Sequence, residues 1–297
     1  MVLTDRDLTI FKAIQKHGPL PTHYLFEFTR HLARDLTGFK KRLKALTDDG
    51  YLDRPFTINH PRVHNDFKIY TLKPKAREIL AQAGVLYRFA TPCGGGHQHA
   101  FMASIVTANI EIAAYPLKFI SQEQILAKAP EETRNARKPL SLPTTISYAF
   151  RRGNEPARSQ TSDRPTEPDQ LFGINYGNGA AFFALEADRG TEPIIRHSLK
   201  GNSILRKLLA YQNLLAAGQH KKRWGVPNLY PMFVTTADAR VENMLALARE
   251  IYPRGAPNLL FKAIPGFRNY CRTPPLLPKL FCEPWRRIGE SLDISHS

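Results

Sequence analysis

Cysteine is scarce in this chain. Cys93, Cys271 and Cys282 are widely separated and form no CxxC pair. An odd, dispersed set argues against a disulfide framework and a cysteine zinc site, and it fits a reducing, cytoplasmic setting. No apolar run approaches the roughly 20 residues that a membrane-spanning helix needs. The opening MVLTDRDLTIFK lacks the basic-then-apolar pattern of a secretory signal. GxGxxG, GxxxxGK(S/T) and GxSxG are all missing, so nothing points to dinucleotide binding, a P-loop ATPase or a serine hydrolase. Acidic residues are also in short supply: 26 Asp+Glu against 42 Lys+Arg, a net charge of +16. A field that positive favours polyanions and makes nucleic acid the expected partner, double-stranded DNA once the pattern of the first third is read. The lack of a long apolar run makes a membrane an unexpected one.

The first third consists of short helical patterns. Thr4 precedes a helix with Asp5 and Asp7 in its first turn and Leu8, Phe11 and Ile14 at helical spacing, and Gly18-Pro19 stops it. Pro21 opens a second short helix. A third follows, in which Leu36, Phe39, Leu43 and Leu46 make one apolar stripe. Asp48-Asp49-Gly50 ends it, and two extended runs, one at Tyr51-Leu52 and one reading FKIYTL, flank a loop at 59–65. A further helix, LKPKAREILAQAG, comes next. Three helices and a two-stranded hairpin make the winged helix-turn-helix plan, whose third helix enters the major groove. Residues 1–90 carry 16 Lys+Arg and 9 Asp+Glu, a balance of +7. The expected DNA contacts are Arg34, Lys40, Lys41 and Lys44 on or beside the third helix, with Arg62 and His64 at the wing tip. Gly94 to Gly96 mark a linker, so residues 1–92 are expected as a winged-helix DNA-binding domain and 93–297 as a second domain.

The second domain contains a Pro-rich, charge-dense stretch from Ala129 to Pro168 and ends in a Pro-rich tail. Between them the pattern alternates strand and helix. Gln170 to Tyr176 reads as a strand, Gly177-Asn178-Gly179 as a turn and Ala180 to Ala187 as an apolar strand. Folding this hairpin about its turn brings Asp169 near Glu186 and Asp188, which are two apart and so share a face. Crowded carboxylates repel unless a cation joins them, and hard oxygen ligands suit Mg²⁺ or Mn²⁺. Asp169, Glu186 and Asp188 are therefore the expected metal ligands. Lys207 and Tyr211 lie four apart on the helix that follows and also share a face. Strands at Asn228 to Thr236 and Leu259 to Ile264, with a helix between them, complete an α/β (α+β) domain around a central mixed sheet.

Pro168-Asp169 followed by Glu186-Ala187-Asp188 resembles the PD-(D/E)xK core of restriction endonucleases, with Asp188 where that core has Lys. The longer string FFALEADRGTE, downstream of a winged helix, resembles the replication-relaxation family of plasmid proteins, which includes MobC-type relaxases. The resemblance implies a restriction-endonuclease-like domain acting in plasmid or mobile-element mobilisation or replication. It also implies a Mg-dependent DNA nickase or endonuclease activity, with other mobilisation or replication proteins as partners. Asp169, Glu186, Asp188 and Lys207 would be catalytic, Lys207 (or Lys200) replacing the missing motif lysine, and Arg189 and Arg196 would clamp phosphate. The alternative is a non-catalytic winged-helix regulator or accessory factor on a degenerate nuclease fold. His97-Gln98-His99 lacks the apolar residue and the buried strand of a paired-histidine metal motif and reads as a loop or helix start. Glu111 reads as a solvent-facing helix position, and a covalent role for Tyr211 has no support in the pattern.

Overall fold

The computed structural model describes residues 2–33, 35–54, 68–85, 97–151, 156–265 and 275–296. The chain is mixed α/β, and no helix among the described residues is long and apolar enough to cross a membrane. The first unit runs α1 (Asp5–His17), β1 (Leu20–Pro21), α2 (Thr22–Phe28), α3 (Leu36–Asp48), β2 (Leu52–Asp53), β3 (Ile69–Leu72) and α4 (Pro74–Gln82). Its strands pair antiparallel in the order β1-β3-β2. The Asp7 carboxylate accepts from the Thr4 backbone N–H at 2.8 Å and hydroxyl at 2.9 Å, closing the start of α1. The same carboxylate accepts from Arg42 Nε at 2.9 Å and Nη2 at 2.5 Å, which ties α1 to α3. Phe39, Leu43 and Leu46 are buried, as the stripe requires, whereas Leu36, in the first turn of α3, is exposed, and Lys40, Lys41 and Lys44 are exposed. Arg34, Arg62 and His64 lie outside the described residues.

Helix α5 (His97–Ala114) carries the architecture. Nearly every side chain from Ala100 to Ile110 is buried, the mark of a helix enclosed on all sides. It packs on α1 and α2 on one side and on the main sheet on the other. Buried polar groups on this helix are satisfied: the Asn109 amide donates to Tyr24 Oη at 2.7 Å, and Thr107 Oγ1 donates to Gln170 Oε1 at 2.9 Å. Glu111, expected to face solvent, instead meets Lys16 at 2.5 Å and the buried His17 at 2.6 Å. Burial pushes the Glu111 carboxyl up, but the hydrogen bond and charge of His17 and the Lys16 ammonium outweigh it and bring it to about 2.

The rest of the chain is β4 (Lys118–Ile120), α6 (Gln122–Ala127), α7 (Glu131–Asn135), β5 (Ile146–Phe150), β6 (Arg158–Ser162), β7 (Gln170–Asn175) and β8 (Ala180–Ala187), followed by α8 (Ile204–Ala216), α9 (Gln219–Trp224), β9 (Tyr230–Thr235), α10 (Asp238–Ile251), β10 (Leu260–Ala263) and α11 (Lys279–Cys282). Five strands form one mixed sheet in the order β10-β9-β8-β7-β4. β4, β7 and β8 are an antiparallel meander, and β8, β9 and β10 run parallel through the crossover helices α8 and α10. The sheet is covered on both faces. Phe172, Phe183 and Val234 pack in the cluster that includes α5 and the N-terminal unit, and Leu171, Ala184 and Phe233 pack under α8 and α10. The boundary expected at residue 92 falls outside the described residues, and one apolar cluster spans both sides of it. The stretch from Ala129 to Pro168 is not plain loop. It holds α7 and a separate hairpin, β5–β6, inserted between β4 and β7.

Candidate active site

The hairpin register sets the first part of the site. Gln170 lies opposite Leu185, and the Asp169 N–H donates to the Leu185 carbonyl at 2.9 Å, so Asp169 sits beside the C-terminal end of β8 where Glu186 projects. Asp169 Oδ2 accepts from the Ala187 N–H at 2.7 Å. On the following helix, the Ser203 side chain accepts from the Arg206 N–H at 3.2 Å and opens α8. One turn further, Lys207 Nζ lies 3.0 Å from Glu186 Oε2, and Tyr211 Oη donates to Glu186 Oε1 at 2.7 Å. Two carboxylates from a hairpin and a lysine from the next helix thus line one pocket of about 280 Å³.

Two further side chains complete it. His99, in the first turn of α5, places Nε2 2.7 Å from Asp169 Oδ1. An ionised carboxylate only accepts, so the imidazole donates. Glu192, past β8, places Oε2 3.2 Å from Lys207 Nζ. Neither was expected from the pattern. The polar residue inside His97-Gln98-His99 argued against a metal strand, and the meeting with Asp169 comes from the packing of α5. Glu192 closes the EADRGTE string, where spacing alone gives it no partner.

The groups divide in their charge states. Burial pushes Glu186 up, and the Asp169 charge adds to it against the pull of Lys207 and Tyr211, leaving Glu186 at about 7. Burial also pushes Asp169 up, but the His99 hydrogen bond, Lys207 and the Ala187 N–H together hold it below the ordinary carboxylate range. His99 is raised, chiefly by its hydrogen bond to Asp169. Burial works against the Lys207 ammonium, yet Glu186, Asp169 and Glu192 more than compensate and keep it charged. Tyr211 is fully buried, and burial and Glu186 raise its hydroxyl well above its usual value, so it serves Glu186 as a neutral donor and not as an attacking phenolate.

Asp188 does not join this group. Its carboxylate accepts from Thr235 Oγ1 at 2.9 Å and is gripped by Arg240 through both Nε and Nη2. Arg240 Nη2 also donates to the Glu192 carbonyl, so Asp188 acts by anchoring the segment that carries Glu192. The shared strand face is real, but α10 supplies an arginine there that spacing on β8 could not foretell. Arg189 is half-buried, and Arg196 and Lys200 are exposed on the segment leading to α8. Arg240→Ala is expected to cost about 3 kcal/mol of stability, because the 1% exposed Asp188 carboxylate would be left without its cation. Urea denaturation of the two proteins checks this, and an unchanged midpoint would contradict it.

The donors suit a hard divalent cation only in part. Asp169 and Glu186 offer oxygen ligands in one pocket, although Lys207 already supplies one positive charge beside Glu186. Among the described residues, no three His, Cys, Asp or Glu side chains converge as a closed cage. No family model, curated protein or solved structure matches the chain.

Proposed function

We propose that the chain is a DNA-binding protein with a metal-dependent, nuclease-type phosphodiesterase site, acting as a nickase or endonuclease in plasmid or mobile-element processing. The observation that carries this reading is the meeting of Asp169, Glu186 and Lys207, drawn from two strands of an antiparallel meander and from the crossover helix that follows it. The order helix, three-strand meander, helix and parallel strand supports the restriction-endonuclease-like reading, in which Lys207 on the helix would take the part of the motif lysine. The N-terminal unit, with α3 presenting exposed Lys40, Lys41 and Lys44, fits a winged helix that docks on duplex DNA.

In this reading Asp169 and Glu186 would hold Mg²⁺ or Mn²⁺, which would supply positive charge to the oxygens of a phosphodiester. Lys207 stays protonated, so it stabilises developing negative charge and does not abstract a proton. His99 and the Ala187 N–H orient the two oxygens of Asp169, while Tyr211 orients Glu186. A second reading, a DNA-binding accessory factor on a degenerate nuclease fold, draws on Asp188 being committed to Arg240 and on the absence of a three-ligand cage among the described residues.

Supercoiled plasmid incubated with Mg²⁺ or Mn²⁺ separates the two. The parent is expected to nick, and Asp169→Ala and Glu186→Ala are expected to lose nicking while retaining duplex affinity. A parent that binds duplex but cuts with neither metal would establish the accessory reading instead.

A further inference from the structure

Lys138, Ser141 and residues 164–167, from the stretch inserted between β4 and β7, form one wall of the pocket. That wall is pinned from several sides. Leu142 and Thr166 exchange backbone hydrogen bonds at 2.8 and 2.9 Å. The Arg206 guanidinium, from a residue only 4% exposed, donates to the carbonyls of Arg164 at 2.5 Å and Pro165 at 3.2 Å. Trp224 Nε1 donates to the Pro139 carbonyl at 3.1 Å. The wall is therefore preorganised.

Lys138, Ser141 and Pro165 line the pocket and also a second recess of about 390 Å³, which continues to Asp163 and Arg223. Cations recur along this path: Lys207 and Arg164 in the pocket, Lys138 between the recesses, then Arg223 with the exposed Lys221 and Lys222 on α9. The acids beside them are weakly held. Glu167 lies 3.7 Å from Lys138, whose side chain is 68% exposed, and Glu132, paired with Arg223, is 82% exposed. The Lys138–Glu167 pair is exposed and contributes about 0–1 kcal/mol, so a phosphate can take the place of that carboxylate at little cost. On the half-buried Arg223 a phosphate would compete with the exposed Glu132 carboxylate.

We propose that this path is a track for the sugar-phosphate backbone of a single DNA strand, leading from the carboxylate pocket to α9. The proposal rests on the nuclease-type reading and adds to it the route of the strand. A duplex, with two backbones wrapped about its base pairs, cannot follow recesses of this size, whereas one strand can. Among the described residues, His99 is the only aromatic ring lining either recess, so they offer no row of stacking faces, and the track holds phosphates without choosing bases.

The test is fluorescence anisotropy with a labelled single strand of about ten thymidines, titrated over a range of salt. Lys138→Glu and Arg223→Glu are each expected to weaken strand binding about tenfold and to reduce the salt slope by about one, whereas Arg249→Glu, at an exposed position on α10, leaves both unchanged. Thermal melts by circular dichroism establish that each variant is folded, and duplex affinity is expected to hold. If the parent nicks in an Asp169-dependent way and both track variants bind the strand as the parent does, the track is overturned and the nuclease reading stands. If the parent never nicks but the variants lose the strand, the track stands as a binding surface and the catalytic reading falls.

Discussion

Lys207→Met is expected to abolish plasmid nicking and to lower stability by about 3–5 kcal/mol at pH 8. The ammonium lies 3.0 Å from Glu186 and 3.2 Å from Glu192, and its charge also acts on Asp169, so its removal leaves three acids crowded without their shared cation. Methionine fills much of the same volume, which separates the loss of charge from the loss of packing. Glu186 takes up a proton more readily once Lys207 is gone, so the stability loss shrinks as pH falls towards 5. Cleavage is compared at pH 8, where Glu186 is ionised and a charge that stabilises the reacting phosphate is worth about 10²–10³ in rate. Denaturant melts at pH 5 and pH 8 beside the nicking assay read out both effects. An equal stability loss at the two pH values would contradict the assignment of Lys207 as the balancing charge.

Glu186→Gln is expected to remove a pH-dependent limb of stability. The folded carboxyl titrates at about 7, against an ordinary value of 4.5, so folding favours its protonated form. Its contribution is complete below pH 4.5, falls as pH rises through 7 and is constant above that. The shift corresponds to about 3 kcal/mol. Glutamine retains an oxygen for the Tyr211 hydroxyl but cannot ionise. The difference in unfolding free energy, variant minus parent, should therefore climb between pH 4.5 and 7 and then level off. His99, raised in the folded state, loses its own contribution over an overlapping range, but it is present in both proteins and largely cancels. A flat difference across that range would show that Glu186 is not strained. Millimolar Mg²⁺ is expected to stabilise the parent above pH 7 and not below pH 5, because the ligand must be ionised to bind it.

Several features are legible in the amino-acid sequence itself. The spacing of Phe39, Leu43 and Leu46 places Lys40, Lys41 and Lys44 outside the core, since a helix of 3.6 residues per turn leaves them no other face. The Gly177-Asn178-Gly179 turn sets the hairpin register and with it the approach of Asp169 to Glu186. Four-residue spacing delivers Lys207 and Tyr211 to the same carboxylate. Other features were not legible. The tail after Pro275 reads as irregular, yet it docks: Leu277 N–H donates to Asn109 at 2.5 Å and Trp285 is buried. The cysteine content, the charge balance and the missing signal patterns set expectations about compartment and partner, but they say nothing about which side chains meet.

What the sequence alone determined, then, are the periodic and short-range relations: which residues share a helix face, which strands form a hairpin and which charges lie outside the core. Backbone geometry repeats over a few residues, so nearby positions are enough to fix them. Only the tertiary structure decided that His99 reaches Asp169, that Glu192 reaches Lys207 and that Arg240 draws Asp188 away from the pocket. Each of those pairings joins elements brought together by burying α5 on one face of the sheet and α8 and α10 on the other. Apolar packing of that kind is non-directional, and it leaves no spacing in the chain to show which polar groups will be brought face to face.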